Sequence, residues 1–385
     1  MADALAGLRV LELRQGIAAA YCGMLLSDLG ADVVIAIDRV MAEDPDPPLA
    51  AQLYLDRNKR SVLLDPAAEN GQQLLLALAG WSDVVVEELL PDTRARWRVD
   101  PDLWRRVRPD LIYASITPFG RTGPDADRPA SDLIVQAVSG FMNITGFPED
   151  PPTRSGTSLS EYYTGVATGV AVLAALRHRD RTGRGQLLDM ALLDTLLTAM
   201  EGVPDTFFRT RELRPRTGNS NPLFPGYGFY EAKDGHVATA IQGVNIWPRF
   251  CIAIDRPELA ERPEFTSQAG QDRWGAAVSA ALIPWCLEHT RAEVVERLVA
   301  FGVPAAPVNT LADVIHEPPL ADRGMLVEVD DPRRGRITIT GSPLHLSETP
   351  GRVRRAAPAP GQDSRDVIAE LRPGTAARAA AQSPV

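Results

Sequence analysis

Five histidines, three cysteines and a large set of carboxylates are the side chains of this 385-residue chain that could do chemistry. The histidines do not converge. His178 ends a helical pattern, where a cation is favoured. His236 follows the turn at Asp234-Gly235, and His289, His316 and His345 have no carboxylate pattern beside them. No H-x-x-x-H spacing or carboxylate cluster occurs, so no metal is expected. Cys22, Cys251 and Cys286 are too few and too scattered for a disulfide framework. They suit a reducing cytoplasm, which is the expected location. One carboxylate stands apart by its place. Glu161 opens the long helical pattern over residues 162–179, and a helix N-terminus favours the ionised form.

The phosphate-binding loops of common nucleotide enzymes are missing. The first strand pattern runs into Arg14-Gln15-Gly16-Ile17-Ala18-Ala19 rather than G-x-G-x-x-G, and no G-x-x-x-x-G-K-[ST] occurs. Neither a dinucleotide nor a nucleoside triphosphate has its usual cradle. The formal net charge of −10 argues against a nucleic-acid partner. Neither a signal peptide nor an apolar run of membrane length is read from the chain, so no membrane association is expected.

The elements that must position these residues alternate. Strand patterns fall at 8–13, 31–37, 83–86, 111–116 and 187–190. Helical patterns fall at 17–29, stopped by Gly30, at 66–79, closed by Gly80, and at 102–108, 162–179 and 191–200. This β-α alternation predicts an α/β fold with a parallel, doubly wound sheet, a Rossmann-like large domain over 1–203. The texture then changes. A Gly/Pro/Asn-rich linker over 204–228 leads to a smaller α+β domain over 229–325, opened by a hairpin that turns at Asp234-Gly235. Another strand is expected over 333–340, and 373–385 reads as a flexible tail.

Several stretches carry a family resemblance. Gly7-Leu8-Arg9-Val10-Leu11-Glu12-Leu13 with Leu29-Gly30-Ala31-Asp32-Val33-Val34 is similar to the opening of the family III CoA-transferases, the CaiB/BaiF or formyl-CoA transferase family. Arg57-Asn58-Lys59-Arg60-Ser61 resembles its N-R-N-K-R-S stretch. Pro118 to Pro124 resembles its G-F-G-x-x-G-P loop, and Asp132-Leu133-Ile134-Val135-Gln136 its D-L-x-x-Q helix. Arg181-Thr182-Gly183-Arg184-Gly185-Gln186 and Gly302 to Val308 match further on, so the resemblance spans residues 5 to 371 in order.

The resemblance implies a fold of two interlocked rings in a homodimer, with 326–372 returning to the large domain. It implies coenzyme A or an acyl-CoA as substrate, with a small-molecule carboxylic acid as the other. The family's catalytic aspartate attacks the thioester, and Glu161 stands at its position. A carboxylate suits this role because its anhydride stays activated. Gln15 and Ile17 would flank the thiol end of CoA. Arg39, Arg57, Lys59, Arg60, Arg94 and Arg96 would meet its phosphates. Ser131, Gly226, Tyr227 and Gly228 would serve the substrate or an oxyanion. Other CoA-facing positions depart from the family pattern, namely Ala19, Ala20, Ala36, Glu88 and Leu90. The α-methylacyl-CoA racemases of the same superfamily need a histidine where this chain has Ser131, which disfavours racemisation. A diverted enzyme using Glu161 as general acid or base on a non-CoA or carrier-bound intermediate, and a non-catalytic scaffold, are the other readings.

Overall fold

A computed structural model describes residues 3–39, 53–219, 227–241, 245–261 and 271–371. The chain forms two units. The first comprises Met1–Phe141, Arg154–Arg209 and Pro318–Val385, and the second Met142–Thr153 and Thr210–Glu317. The segment 142–153, placed by its sequence in the large domain, therefore belongs to the second unit. The expected linker also begins differently, because Val203–Thr210 is a helix.

The first unit is built on β1 (Arg9–Arg14), β2 (Asp32–Asp38), β3 (Arg60–Leu64), β4 (Val84–Glu88), β5 (Ile112–Thr117) and β6 (Leu187–Ala191). They form one sheet in the order β3-β2-β1-β4-β5-β6, with all neighbours parallel. Around it lie α1 (Ile17–Asp28), α2 (Glu69–Trp81), α3 (Pro91–Arg96), α4 (Pro101–Val107), α5 (Asp132–Val138), α6 (Leu159–Thr182) and α7 (Leu192–Thr198). Gly80, expected to close α2, lies inside it.

The strands are near-continuous apolar runs because helices cover both faces. Val10, Val33, Val84 and Ile112 pack with α1, α6 and α7. Leu11, Val34, Val85 and Tyr113 pack on the other face with Leu75 and Leu78 of α2, Trp104 of α4 and Val367 of the C-terminal helix Ser364–Glu370. Ten of the twelve residues of α1 are buried, so it has no polar stripe. The strand order reverses between β1 and β4. In such sheets ligands sit in the crevice beyond the carboxyl ends of the strands at that reversal.

One expectation about length needs correcting. The 24-residue α6 is long and apolar enough to cross a membrane by length and composition alone. It is instead a helix of the large unit's core, with Val172 and Ala175 buried against α1 and the sheet.

The second unit has an antiparallel sheet of β7 (Tyr227–Ala232), β8 (Gly235–Ala240) and β9 (Ala305–Pro307). The two-residue loop of its hairpin is Lys233-Asp234, and Gly235 already pairs with Ala232. Trp247, Phe250, Val294 and Leu298 form its core with Val237.

Back in the first unit, the strand expected over 333–340 is one half of a hairpin, β10 (Leu326–Asp331) with β11 (Gly335–Thr340). The chain that follows is held by Arg57 to Ser61. Arg57 is fully buried, with Nη2 2.7 Å from Asp28 Oδ2, and it donates to the carbonyls of Thr340 and Gly341. Asn58 Oδ1 accepts from the amides of Arg354 and Arg355, and its amide group donates to the Arg352 carbonyl. Ser61 pairs with Asp363, and Arg60 binds both Asp32 and Glu370. Lys59 is fully buried on Glu12 Oε2 and the Ala20 carbonyl, each at 2.8 Å.

This corrects the phosphate assignment for three residues. Arg57 and Arg60 lie at the amino edge of the sheet with Asp28 and Asp32, opposite the crevice, and Lys59 is enclosed. All three cations are spent on internal carboxylates. Removing one partner of a buried pair leaves an uncompensated charge. Arg57→Met is therefore expected to lower stability by about 3–5 kcal/mol. Urea unfolding measures the loss, and limited proteolysis should show first cleavage within residues 340–363.

Candidate active site

Glu161 is the third residue of α6, and its place depends on how closely α6 approaches α1. Gly165 makes that approach possible. A Cβ there would stand 2.8 Å from the Ala18 carbonyl oxygen and 3.0 Å from Tyr21 Cβ. With the helices this near, the Glu161 carboxylate reaches the start of α1, where Oε2 accepts the Ile17 amide at 3.3 Å. Tyr162 and Tyr21 stack edge-on beside it, with ring centroids 5.0 Å apart.

The first turn of α6 is anchored from α5. Asp132 Oδ1 accepts from the Ser160 amide at 2.9 Å and from its hydroxyl at 2.7 Å. Asp132 Oδ2 accepts from Gln136 Nε2, and Gln136 Oε1 accepts the Ser155 amide. The N-cap residue Ser158 makes no side-chain cap, so Asp132 serves in its stead. The sequence showed Asp132 and Gln136 as part of a motif but not their task. Their four-residue spacing on one helix face was the available signal.

Burial raises the Glu161 carboxyl above its ordinary range, the Ile17 amide opposes this, the Asp132 charge adds to the rise, and the Asp132 backbone amide opposes it. Burial therefore outweighs the amides that favour the ionised form. Glu88, at the end of β4, accepts the Ala19 amide on Oε2 at 2.8 Å. Burial pushes Glu88 up to about 8, the Ala19 amide opposes, and Glu161 adds to the rise. A Cβ at Gly16 would collide with the Glu88 carboxylate, so a larger residue there would displace the Glu88 side chain.

The crevice brings four of the expected residues together. Gln15 Oε1 accepts the Leu90 amide at 2.9 Å, joining the ends of β1 and β4. Ile17 begins α1, and Arg39 is exposed just beyond β2. Arg96 pairs with Asp38 at 2.7 Å, closing α3 onto the end of β2. Arg94 is bound to Glu87, which also accepts from Ser115. Ser131 is the exposed N-cap of α5. Tyr227 and Gly228 belong to an edge strand of the second unit, and Gly226 lies outside the described residues. The cysteines offer no nucleophile, because burial first of all pushes each thiol up to about 12.

Asp132→Ala would strand the Ser160 amide and the Gln136 side chain. The expected cost is about 1–3 kcal/mol in urea unfolding. A fall in kcat on the order of 100-fold should accompany it, as the Glu161 carboxylate moves by about 1 Å.

A carboxylate at the reversal of a 3-2-1-4-5-6 sheet, without a glycine-rich phosphate loop, fits acyl chemistry better than nucleotide chemistry. Known proteins agree. The chain is 37% identical over 364 residues to a succinyl-CoA:mesaconate CoA-transferase of Haloarcula marismortui, covering 90% of this chain and 91% of that one. It is 30% identical to a succinate–glutarate CoA-transferase of Agrobacterium fabrum, with 95% of each chain covered. A CaiB/BaiF family structure from Brucella suis superposes with a TM-score of 0.86 at 29% identity, covering 97% of this chain and 100% of that one. The description of CoA-transferase family III matches residues 5–364, and with the fold and the site in agreement the chain belongs to that family and is a transferase.

Proposed function

We propose that the chain moves CoA from a succinyl-type thioester to a second small carboxylic acid, with Glu161 as the acyl-accepting carboxylate. The observation that carries this reading is the Glu161 carboxylate fixed on the Ile17 amide at the sheet reversal. The donor class comes from the relatives. Four of them, at 32–37% identity, are named for succinyl-CoA.

The proposed sequence has four exchanges. The Glu161 oxygen attacks the thioester carbonyl, the C–S bond breaks, and the thiolate leaves a mixed anhydride. The thiolate then attacks the Glu161 carbonyl, which frees the first acid as its carboxylate. The second acid attacks this enzyme thioester, giving a new anhydride and the thiolate again. Attack of the thiolate on the substrate-derived carbonyl forms the new thioester and returns Glu161. Splitting one exchange into several lowers each barrier. In this reading Gln15 and Ile17 flank the sulfur, Arg39 is a cation at the crevice edge for the phosphates, and Arg96 meets them from its pairing with Asp38.

The homodimer belongs to the same proposal. Val166, Val170 and Leu173 are 42%, 63% and 42% exposed along one face of α6, at a spacing that makes a continuous apolar stripe. A second copy of the chain would cover it.

Glu161→Gln is expected to abolish transfer, and Glu161→Asp to retain part of it. Mass spectrometry of the wild-type protein with succinyl-CoA should find CoA attached at Glu161. Transfer undiminished in Glu161→Gln would refute the assignment. The rate should also rise with pH through a midpoint above the ordinary carboxylate value of about 4.3, because burial raises the nucleophile.

A further inference from the structure

Glu88 has no part in the exchange just described, yet it stands in the crevice with the group that does. Its Oε2 accepts the Ala19 amide and Glu161 Oε2 accepts the Ile17 amide, so the two carboxyls hold amides two residues apart in the first turn of α1. Gly16 leaves room for Glu88, where any larger residue would displace it. In other doubly wound sheets the amides of this turn hold a phosphate. Here side chains of the protein occupy them.

Two carboxylates on one helix turn repel, and one proton shared between them relieves the repulsion. We propose that Glu88 is a positioning residue that carries this proton, so that Glu161 alone is charged and stays aligned on the Ile17 amide. The proposal rests on the reading of Glu161 as nucleophile.

The groups facing Glu88 favour this distribution. Glu87 from β4 and Glu161 from α6 both disfavour a second negative charge. Arg14 at the end of β1 is the cation that opposes them, and it is already paired with Glu12 and Asp56. Glu161 holds its α1 amide the more loosely of the two, at 3.3 Å against 2.8 Å for Glu88. An added charge on Glu88 would therefore push Glu161, not Glu88, out of place.

The consequence is an alkaline limit. As pH rises through about 8, Glu88 ionises, and transfer falls with the protonated fraction. Wild-type kcat should drop about tenfold between pH 7 and pH 9. Glu88→Gln holds a neutral group of the same shape and should drop less than about twofold over that range. An alkaline fall that persists in Glu88→Gln overturns the proposal, since a merely structural role would leave the profile unchanged.

A second readout needs no turnover. A folded-state value of about 8 lies above the ordinary value for glutamate, so the native state binds the extra proton and loses stability as pH rises towards 8. Glu88→Gln lacks this loss. Its Tm relative to wild type should climb by several degrees between about pH 5.5 and pH 8.5, and a constant gap overturns the proposal. If Glu88→Gln does not fold, infrared spectroscopy of the wild-type protein decides. A protonated carboxyl band at pH 7 that titrates away near 8 supports the proposal, and its absence at pH 7 overturns it. Should neither protein transfer CoA, the Glu161 reading fails, while the Tm and infrared results still judge Glu88.

Discussion

The free amides at the start of α1 are the constraint around which the site is arranged. A helix begins with N–H groups that have no partner of their own, and they carry a partial positive charge. In this chain β1 ends at the sheet reversal and delivers those amides to the crevice. Glu161 comes to them from α6 and Glu88 from β4. The lack of a glycine-rich phosphate loop has a physical meaning here, because the positive end of the helix serves carboxyl groups of the protein instead.

Such an arrangement tolerates little slack. Glu161 reaches the Ile17 amide only because Gly165 lets α6 lie against the Ala18 carbonyl. It stays there because Asp132 replaces the missing cap at the first turn of α6. The distance between two helices and the anchoring of one of them together set the position of one carboxylate. The reach of the Glu161 side chain ends at the Ile17 amide, 3.3 Å away.

The buried charges do separate work. Lys59 and Glu12 lie under α1, while Arg57 and Asp28 pin its far end to the returning C-terminal chain. Exchanging a buried pair for apolar residues is often neutral in stability, so its presence is weak grounds for strength. What these pairs provide is register. Arg57 and Asn58 read out the carbonyls and amides of residues 340–355, and few other alignments of that segment would satisfy them.

Much of the fold was legible. Apolar runs such as Val33-Val34-Ile35 and Val84-Val85-Val86 announce buried parallel strands, because such strands lack a wet face. Gly30, in the left-handed region at φ 100°, marks the end of the α1 region as it does in the sequence. The smaller errors came from local signals that packing overrode. Gly80 reads as a stop but remains inside α2, and residues 204–210 read as linker but belong to the helix Val203–Thr210. The sequence by itself determined the strand and helix alternation and the family. Only the tertiary structure decided which charges face the crevice. Arg57, Lys59 and Arg60 look like phosphate ligands in a linear reading and prove to be internal partners. Glu88 looks like a damaged ligand position and proves to share a helix terminus with Glu161. Charge type is written in the chain, but the partner of a charge is set by which distant segments meet, and that is a property of packing.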